Sequence, residues 1–304
     1  MGHSDATRLL AAAALALILP GCSVKMMAIN SLGNALAEGS SVYATDDDAE
    51  LVWDAVPFGL KTIEGLLEES PRHKGLLLTA SSGFTQYAYG SLQQDADFIE
   101  SESLARATTL RERAKKLYLR ARDYGLRGLD ASLKGFSAQL RQDSGAALAR
   151  VRREHVGLLY WTSAAWAAAL GLEVNDSELA ADQSLVEAMM RRALALDEAW
   201  EYGTIHDFFV SWEGAHASVG GSYERAKEHL DKAVAFSKGG RAWPLVSYAE
   251  SVAVPRQDRA GFVRVLEQAL AVEPGQIKEQ RLTNVLAQRR ARWLLARADE
   301  LFIE

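Results

Sequence analysis

The sequence has almost no cysteine: Cys22 is the only one in 304 residues. A single cysteine excludes a framework of disulfide bonds and any zinc site built from several thiolates. Proline is also scarce, with six in the chain, while alanine, leucine, arginine and glutamate are frequent. Because proline interrupts helices and these four residues favour them, the composition predicts helix throughout.

The chain also lacks a surplus of positive charge. It carries 34 lysine and arginine residues against 40 aspartate and glutamate residues, which gives a formal net charge of −6. No sustained basic stripe interleaved with aromatic residues occurs, so nucleic acid is not predicted as a partner. With 48% hydrophobic and 24% charged residues, the composition is that of a globular protein.

The motifs of common catalytic sites are missing as well. The sequence contains no glycine-rich phosphate loop, no Gly-x-Ser-x-Gly elbow and no His-Glu-x-x-His pair. Glu213 and His216 have the spacing that places two side chains on one helix face, but a carboxylate di-iron bundle requires two such pairs and two further carboxylates. We therefore predict no enzyme, no metal and no cofactor. A helical metalloenzyme built on these two residues is kept as the weakest alternative.

The N-terminus carries the first of two uncharged apolar runs. Residues 9–19 are too short to span a bilayer, and they lead into Leu19-Pro20-Gly21-Cys22. This order fits a secretory signal peptide followed by a sequence that resembles the bacterial lipobox, in which the cysteine is acylated. We predict a signal peptide at 1–21, a lipidated tether at 22–47 and a single all-helical domain at 48–304. A cleaved signal peptide with an unmodified cysteine is the alternative.

Two amphipathic patterns then begin the body of the chain. Pro57 predicts a kink or a helix start within the first pattern, and Ser70-Pro71 predicts the N-terminus of the second helix. Two such helices form an antiparallel hairpin, which cannot bury its apolar face alone. The residues at helical spacing are Val52, Val56, Leu60, Ile63 and Leu67 in the first pattern, and Leu77, Ala80, Phe84, Tyr87 and Ser91 in the second.

Later helices share a looser pattern of a small or apolar residue, a large apolar residue and an alanine. The final alanines are 72, 40 and 36 residues apart, near multiples of the tetratricopeptide period. We predict tetratricopeptide-like hairpin repeats stacked in an α-solenoid-like body, although alanine-rich amphipathic helices also meet so loose a pattern. The pattern occurs at Ala114-Tyr118-Ala121, Val186-Met190-Ala193, Ala226-Leu230-Ala233 and Phe262-Leu266-Ala269.

The remaining helical segments differ in polarity. Val156 to Leu172 contains no charged residue and is predicted as a central helix buried on all sides, whose aromatic residues belong to the core or line a cavity. Glu100 to Gly125 and Leu126 to Asp143 are predicted as two charged amphipathic helices, with bends at Gly125, Gly128 and Gly135. Gln276 to Glu304 is predicted as a capping helix with its arginines on a solvated face: Arg281, Arg289, Arg290, Arg292 and Arg297.

The first hairpin also carries unusual residues at fixed offsets. In this segment the chain resembles the T-component lipoproteins of TRAP transporters (TatT-like proteins). The lipoprotein start and the helical repeats agree with that family. The residues that carry the resemblance are Ala55-Val56-Pro57-Phe58-Gly59-Leu60-Lys61, Glu64-Gly65-Leu66-Leu67, Ser70-Pro71, Gly75-Leu76-Leu77-Leu78 and Gly83-Phe84-Thr85-Gln86-Tyr87-Ala88-Tyr89.

The resemblance implies a function as well as a fold. Members are periplasmic helical lipoproteins that associate with the solute-binding protein of a TRAP-type transporter, help deliver a small apolar or carboxylated ligand, and form homo-oligomers such as trimers. Ser23 after the cysteine indicates the inner face of the outer membrane, by similarity to diderm sorting signals. The alternative is a tetratricopeptide-like scaffold lipoprotein in an envelope assembly complex. From the aromatic content we predict the ligand contacts as Phe84, Tyr87, Tyr160, Trp161 and Trp166.

Overall fold

The computed structural model describes residues 27, 29–36, 41–172 and 181–303. Within these ranges the chain forms helices and turns and no strand, which confirms the all-α class. The predicted signal peptide and Cys22 lie outside the described residues. No helix in the described ranges combines the length and hydrophobicity that crossing a bilayer requires.

The described residues from 41 to 172 form the first group of helices. A π-helical segment, Ala88–Gln93, joins α3 to α4, and a 3-10 turn, Arg153–His155, precedes α8. The helices are α1 (Ser41–Ala44), α2 (Ala49–Glu69), α3 (Lys74–Tyr87), α4 (Gln94–Ile99), α5 (Leu104–Ser132), α6 (Phe136–Gln142), α7 (Ser144–Ala149) and α8 (Val156–Gly171).

The described residues from 181 onward form the second group. A second π-helical segment, Ala249–Ala253, continues α12, and a 3-10 turn, Lys278–Gln280, precedes α14. The helices are α9 (Gln183–Leu196), α10 (Trp200–Ala215), α11 (Tyr223–Ser237), α12 (Trp243–Tyr248), α13 (Arg259–Ala271), α14 (Arg281–Ala296) and α15 (Ala298–Leu301).

Helices α2 and α3 pack against each other as the predicted hairpin. Asp48 caps α2, because its side chain accepts a hydrogen bond from the backbone N–H of Leu51. The helix runs through Pro57 and does not begin there, so the start predicted at this residue is wrong. The residues of α2 that are buried are Val52, Leu60, Ile63 and Leu67, which follow the predicted face.

The second helix of the hairpin begins later than the sequence predicts. Ser70 is the C-cap of α2, and α3 starts at Lys74. The N-cap is His73, whose ring nitrogen accepts a hydrogen bond from the N–H of Leu76 at 3.2 Å. Ser70-Pro71 therefore belongs to the connecting turn, and its predicted role as helix N-terminus is wrong.

A single helix, α5, spans a region where two helices with bends were predicted. It passes through Gly125 and Gly128, and both glycines lie against α8. A Cβ on Gly125 would overlap Oγ1 of Thr162, and one on Gly128 would lie 2.5 Å from Cδ2 of Leu158. These glycines therefore allow a close approach of two helices. Gly135 does form the predicted turn, with a φ of 74°.

Helix α8 lies at the centre of the described body, as predicted. It packs chiefly against α5 and α9, and also against α3 and α10. From Val156 to Leu170 no residue is classed as exposed. Neighbours bury most of the helix, but Trp161, Ala164 and Ala167 are only half-buried, so the predicted burial on all sides holds for one part of its surface and not for the whole.

The four helices with the shared alanine pattern all turn that pattern inward. Each of the twelve residues is buried in the core. The repeat and solenoid arrangement stays a prediction.

The last long helix contacts the first, since Leu282 and Leu286 of α14 pack on Val52 of α2. In an open solenoid each unit contacts only its neighbours in sequence. The contact between α14 and α2 is an addition to that pattern, because these two helices are far apart in the chain.

One arginine of α14 does not lie on the predicted solvated face. Arg290 is only 8% exposed, and it donates hydrogen bonds to Asp97 at 2.8 Å and to Glu250 at 2.6 Å. Arg111 of α5 also binds Asp97, at 2.7 Å. Arg290 thus connects the last long helix to α4 and to the second π-helical segment, while Arg289 on the same helix is exposed.

Candidate ligand cavity

A cavity of about 1970 Å³ opens between the helices around α8. Its wall takes residues from both halves of the described chain, chiefly from α2, α3, α8, α10, α12 and α14. Pockets for small molecules are usually about 300–1,000 Å³, so this volume accommodates a large ligand or several small ones.

The wall of the cavity is rich in aromatic rings that contact one another. Tyr160 of α8 lies edge-on to Trp161 at 5.0 Å between ring centroids, and 4.7 Å from Trp200 at the start of α10. Tyr89, in the first π-helical segment, lies edge-on to Trp243 of α12 at 5.2 Å. Such rings present broad apolar surfaces at little conformational cost, which suits the binding of apolar molecules.

The five predicted ligand-contact residues divide into two groups. Tyr160 and Trp161 line the cavity. Phe84, Tyr87 and Trp166 are buried core residues and are not among the residues of its wall. The binding role stays a prediction for all five, but the geometry places only the first two where a ligand in the cavity would touch them.

The wall also contains a buried ion pair that the sequence did not predict. Asp207 of α10 and Arg241, just before α12, are 5% and 3% exposed and both line the cavity. The guanidinium donates through Nη2 to Oδ2 of Asp207 and through Nε to Oε1 of Gln280, at 3.2 Å. Burial raises the pKa of Asp207 to about 6, and the adjacent guanidinium only partly opposes that shift. No local motif connects residues 34 positions apart.

Several residues of the wall carry buried polar atoms that have no partner among the described residues. Nη1 of Arg241 and Oδ1 of Asp207 have no hydrogen-bond partner among the described residues, and neither do the two amide atoms of Gln94 or Nε1 of Trp53. Buried polar groups are nearly always paired, so a group of unpaired ones beside a cavity indicates a ligand site. Gln94 directly follows the first π-helical segment, and such segments often occur at functional sites.

The backbone next to the cavity is strained where α10 begins. Glu201, Tyr202 and Gly203 have positive φ values of 45°, 59° and 81°. Non-glycine residues rarely adopt this conformation, and two in succession, Glu201 and Tyr202, need support from the surrounding structure. Glu201 and the adjacent Trp200 both line the cavity. Strained backbone of this kind is concentrated at ligand sites and is consistent with a binding role here.

Glu213 and His216 do not assemble into a metal site. Burial raises the pKa of Glu213, but hydrogen bonds from Arg225 at 2.7 Å and Arg191 at 3.1 Å outweigh it and hold the pKa below its usual value. The Nδ1–H of His216 donates to the carbonyl oxygen of Trp212 at 2.8 Å. Across the described ranges, no group of three or more His, Cys, Asp or Glu residues could hold a metal ion.

Comparison with known proteins connects this architecture to one family. The sequence profile described as "TRAP transporter T-component" matches residues 45–302, which include α2 to α15 and nearly the whole wall of the cavity. The chain belongs to the TRAP transporter T-component family. The resemblance predicted from the first hairpin is thereby confirmed.

Membership of the T-component family assigns an accessory role in a TRAP transporter system, which is a transport role and not an enzymatic one. A relative in Treponema pallidum (strain Nichols), described as "Uncharacterized protein", is 29% identical over 307 residues. The similarity covers 95% of each chain. The two proteins therefore align along nearly their full lengths.

Proposed function

We propose that this T-component is a lipid-anchored periplasmic protein that associates with the solute-binding protein of a TRAP-type transporter. It binds a small apolar or carboxylated ligand in the cavity and assists its transfer. The cavity of about 1970 Å³, with its wall of contacting aromatic rings, is the observation that carries the proposal. Tyr160 and Trp161 are the proposed ligand contacts.

The ligand part is tested on the mature chain carrying Cys22→Ser, which removes the predicted acylation site and the need for detergent. Native mass spectrometry identifies small molecules that co-purify and counts the copies in the predicted homo-oligomer. Titration with the apolar fluorophore N-phenyl-1-naphthylamine then gives a dissociation constant. Saturable binding and a co-purified apolar molecule support the proposal.

A matched pair of variants locates the binding. Ala164 lines the cavity, whereas Ala105 is exposed near the start of α5. Ala164→Glu puts a charge into the apolar wall, and an apolar ligand would have to displace its water, so we expect at least tenfold weaker binding. Ala105→Glu makes the same chemical change at the surface and should leave affinity unchanged. Equal affinity for both folded variants would place the fluorophore outside the cavity.

The partner part concerns the rim of the cavity. Val42, Tyr43 and Phe58 line the opening and are exposed, with Phe58 81% exposed. A cluster of exposed apolar residues marks a binding surface, and we propose that it contacts the solute-binding protein. Phe58→Ser should lower recovery of that protein after cross-linking in the periplasm. Leu104→Ser, at a residue 65% exposed on α5 and not in the cavity wall, is the control and should not.

The membrane part rests on Cys22, which lies outside the described residues. Acylation predicts a mass increase on the mature protein and release from the membrane fraction in Cys22→Ser. An unmodified cysteine would support the alternative of a cleaved signal peptide. Co-purification with an envelope assembly complex, with no bound small molecule, would favour the scaffold alternative.

A further inference from the structure

The ion pair in the cavity wall has one polar atom on each side chain without a hydrogen-bond partner among the described residues. Arg241 engages Asp207 through Nη2 and Gln280 through Nε. Its Nη1 and the second oxygen of Asp207, Oδ1, have no partner among the described residues, although both side chains are at least nine-tenths buried. One partner of the pair thus has an unused donor, and the other has an unused acceptor.

An unused donor and an unused acceptor on one ion pair define what can bind there. A ligand group must accept from the guanidinium and donate to the carboxylate to satisfy both atoms. From this geometry we propose that Arg241 and Asp207 form the head-group site of the cavity, and that it takes a neutral group with a hydrogen-bond acceptor beside an N–H or O–H donor. Primary amides and un-ionised carboxylic acids have this chemistry. The proposal rests on the proposed function, since it assumes that the cavity binds a ligand.

The charges around the pair favour a neutral head group over an ion. Arg241 and Asp207 compensate each other, so an anion that gains from the guanidinium is repelled by the carboxylate, and a cation meets the reverse. Glu201 also lines the cavity and adds further negative charge to its wall. A neutral group gains both hydrogen bonds without either repulsion.

The aromatic wall beside the ion pair suits the rest of such a ligand. Tyr160 lines the same cavity as the ion pair. Burial is the main cause of its raised pKa, and it is near enough to the ion pair that Asp207 raises this pKa further while Arg241 lowers it. Trp161 and Trp200 contact its ring. The ligand is therefore an amphiphile with an apolar body against these rings and a hydrogen-bonding end at the ion pair.

Two probes with the same ten-carbon chain separate the head-group contacts from the apolar ones. Decanamide offers an acceptor and a donor, and methyl decanoate offers only acceptors. Both are titrated against bound N-phenyl-1-naphthylamine on the mature chain with Cys22→Ser. We expect decanamide to bind about tenfold more tightly, because its N–H bonds to a charged acceptor. Equal affinities of the two probes would overturn the inference.

Two variants test the residues. Asp207→Leu with Arg241→Met removes both charges together, so that neither is left buried alone. In this double variant decanamide and methyl decanoate should bind about equally well. The affinity for methyl decanoate should stay within about threefold of that of the parent protein. The matched control is Glu250→Leu with Arg290→Met, an ion pair between a buried arginine and a half-buried glutamate, which is not in the cavity wall and should keep the preference. A double variant of the cavity pair that still prefers decanamide would overturn the inference.

Asp207→Asn provides a gain of binding that a purely structural role would not produce. It leaves the guanidinium charge uncompensated, so the decanoate anion should bind at least tenfold more tightly than to the parent protein. Unchanged decanoate affinity in this folded variant would contradict the inference. If N-phenyl-1-naphthylamine and both neutral probes fail to bind the parent protein, the proposed function fails and the inference with it. If they bind without preference, only the inference fails.

Discussion

Gly125 gives the sharpest test of how α5 and α8 pack. An added Cβ would overlap Oγ1 of Thr162 and lie 2.9 Å from Oγ of Ser81. Thr162 cannot easily move, because its hydroxyl donates to the carbonyl oxygen of Leu158 at 2.5 Å. Gly65 on α2 is a matched control, since an added Cβ there has no atom within 4 Å.

Both substitutions gain from replacing glycine with alanine inside a helix, but only Gly125→Ala also loses stability through overpacking. Alanine in place of glycine stabilises a helix interior by about 1 kcal/mol. For Gly65→Ala this is the whole effect, so the free energy of unfolding should rise by about 0.5–1 kcal/mol. For Gly125→Ala, overpacking against Thr162 costs about 1–3 kcal/mol or more, and the net result should be a loss of about 1–2 kcal/mol. Gly128→Ala meets only the flexible tip of Leu158 and should lie between them.

Urea unfolding followed by circular dichroism measures this order. The midpoints should rank Gly65→Ala, the parent protein, Gly128→Ala and Gly125→Ala from high to low, with unchanged slopes. Adding Thr162→Ala to Gly125→Ala should recover part of the loss, because it removes the overlapping oxygen. If Gly125→Ala is as stable as Gly65→Ala, the reasoning about a close helix contact is wrong.

Two further predictions concern buried charges. Arg290→Met should cost on the order of 2 kcal/mol in urea unfolding, since it removes the buried cation that binds the half-buried Glu250 and one of the two arginines that bind Asp97. The exposed Arg289→Met should change stability by under about 0.5 kcal/mol. His206 and His229 share a hydrogen bond of 2.7 Å, and burial lowers the pKa of each to about 4. Because the unfolded chain binds these protons first, stability should fall by on the order of 2 kcal/mol per histidine from pH 7 to pH 5. His229→Gln should remove the part of this pH dependence that His229 contributes. If stability depends on pH as steeply in the variant as in the parent protein, the reasoning about His229 is wrong. The raised pKa of Asp207 has the opposite effect on stability, and it is the same in the parent protein and in the variant.

The helices that apolar periodicity marks most clearly are the ones that the sequence predicts well. The first hairpin and the central α8 occur where predicted, because their apolar residues repeat at helical spacing. The bend predicted at Gly125 is wrong, because a glycine that allows two helices to approach cannot be told in the sequence from a glycine that allows a bend. The helix N-terminus predicted at Ser70-Pro71 is wrong for a related reason, since serine and proline suit a connecting turn as well as a helix N-terminus.

The candidate site could be predicted only in part. Trp161 and Trp166 are separated by five residues, about 140° around a helix, so one can face a cavity while the other faces the core. Sequence alone does not give the rotation of α8 and thus could not choose between them. Arg241 and Arg290 are buried because of carboxylates that are 34 or more positions away in the chain, and no local pattern predicts such pairing.

The π-helical segment Ala88–Gln93 sets the rotation of α4 about its own axis. A wider turn of this kind accommodates an inserted residue, and one residue corresponds to a rotation of about 100° around an α-helix. Deleting a single residue here would leave the hydrophobic content almost unchanged, yet it would turn Gln94 away from the cavity wall and Asp97 away from Arg290. The shape of the binding chamber and the attachment of the last long helix thus depend on the same insertion.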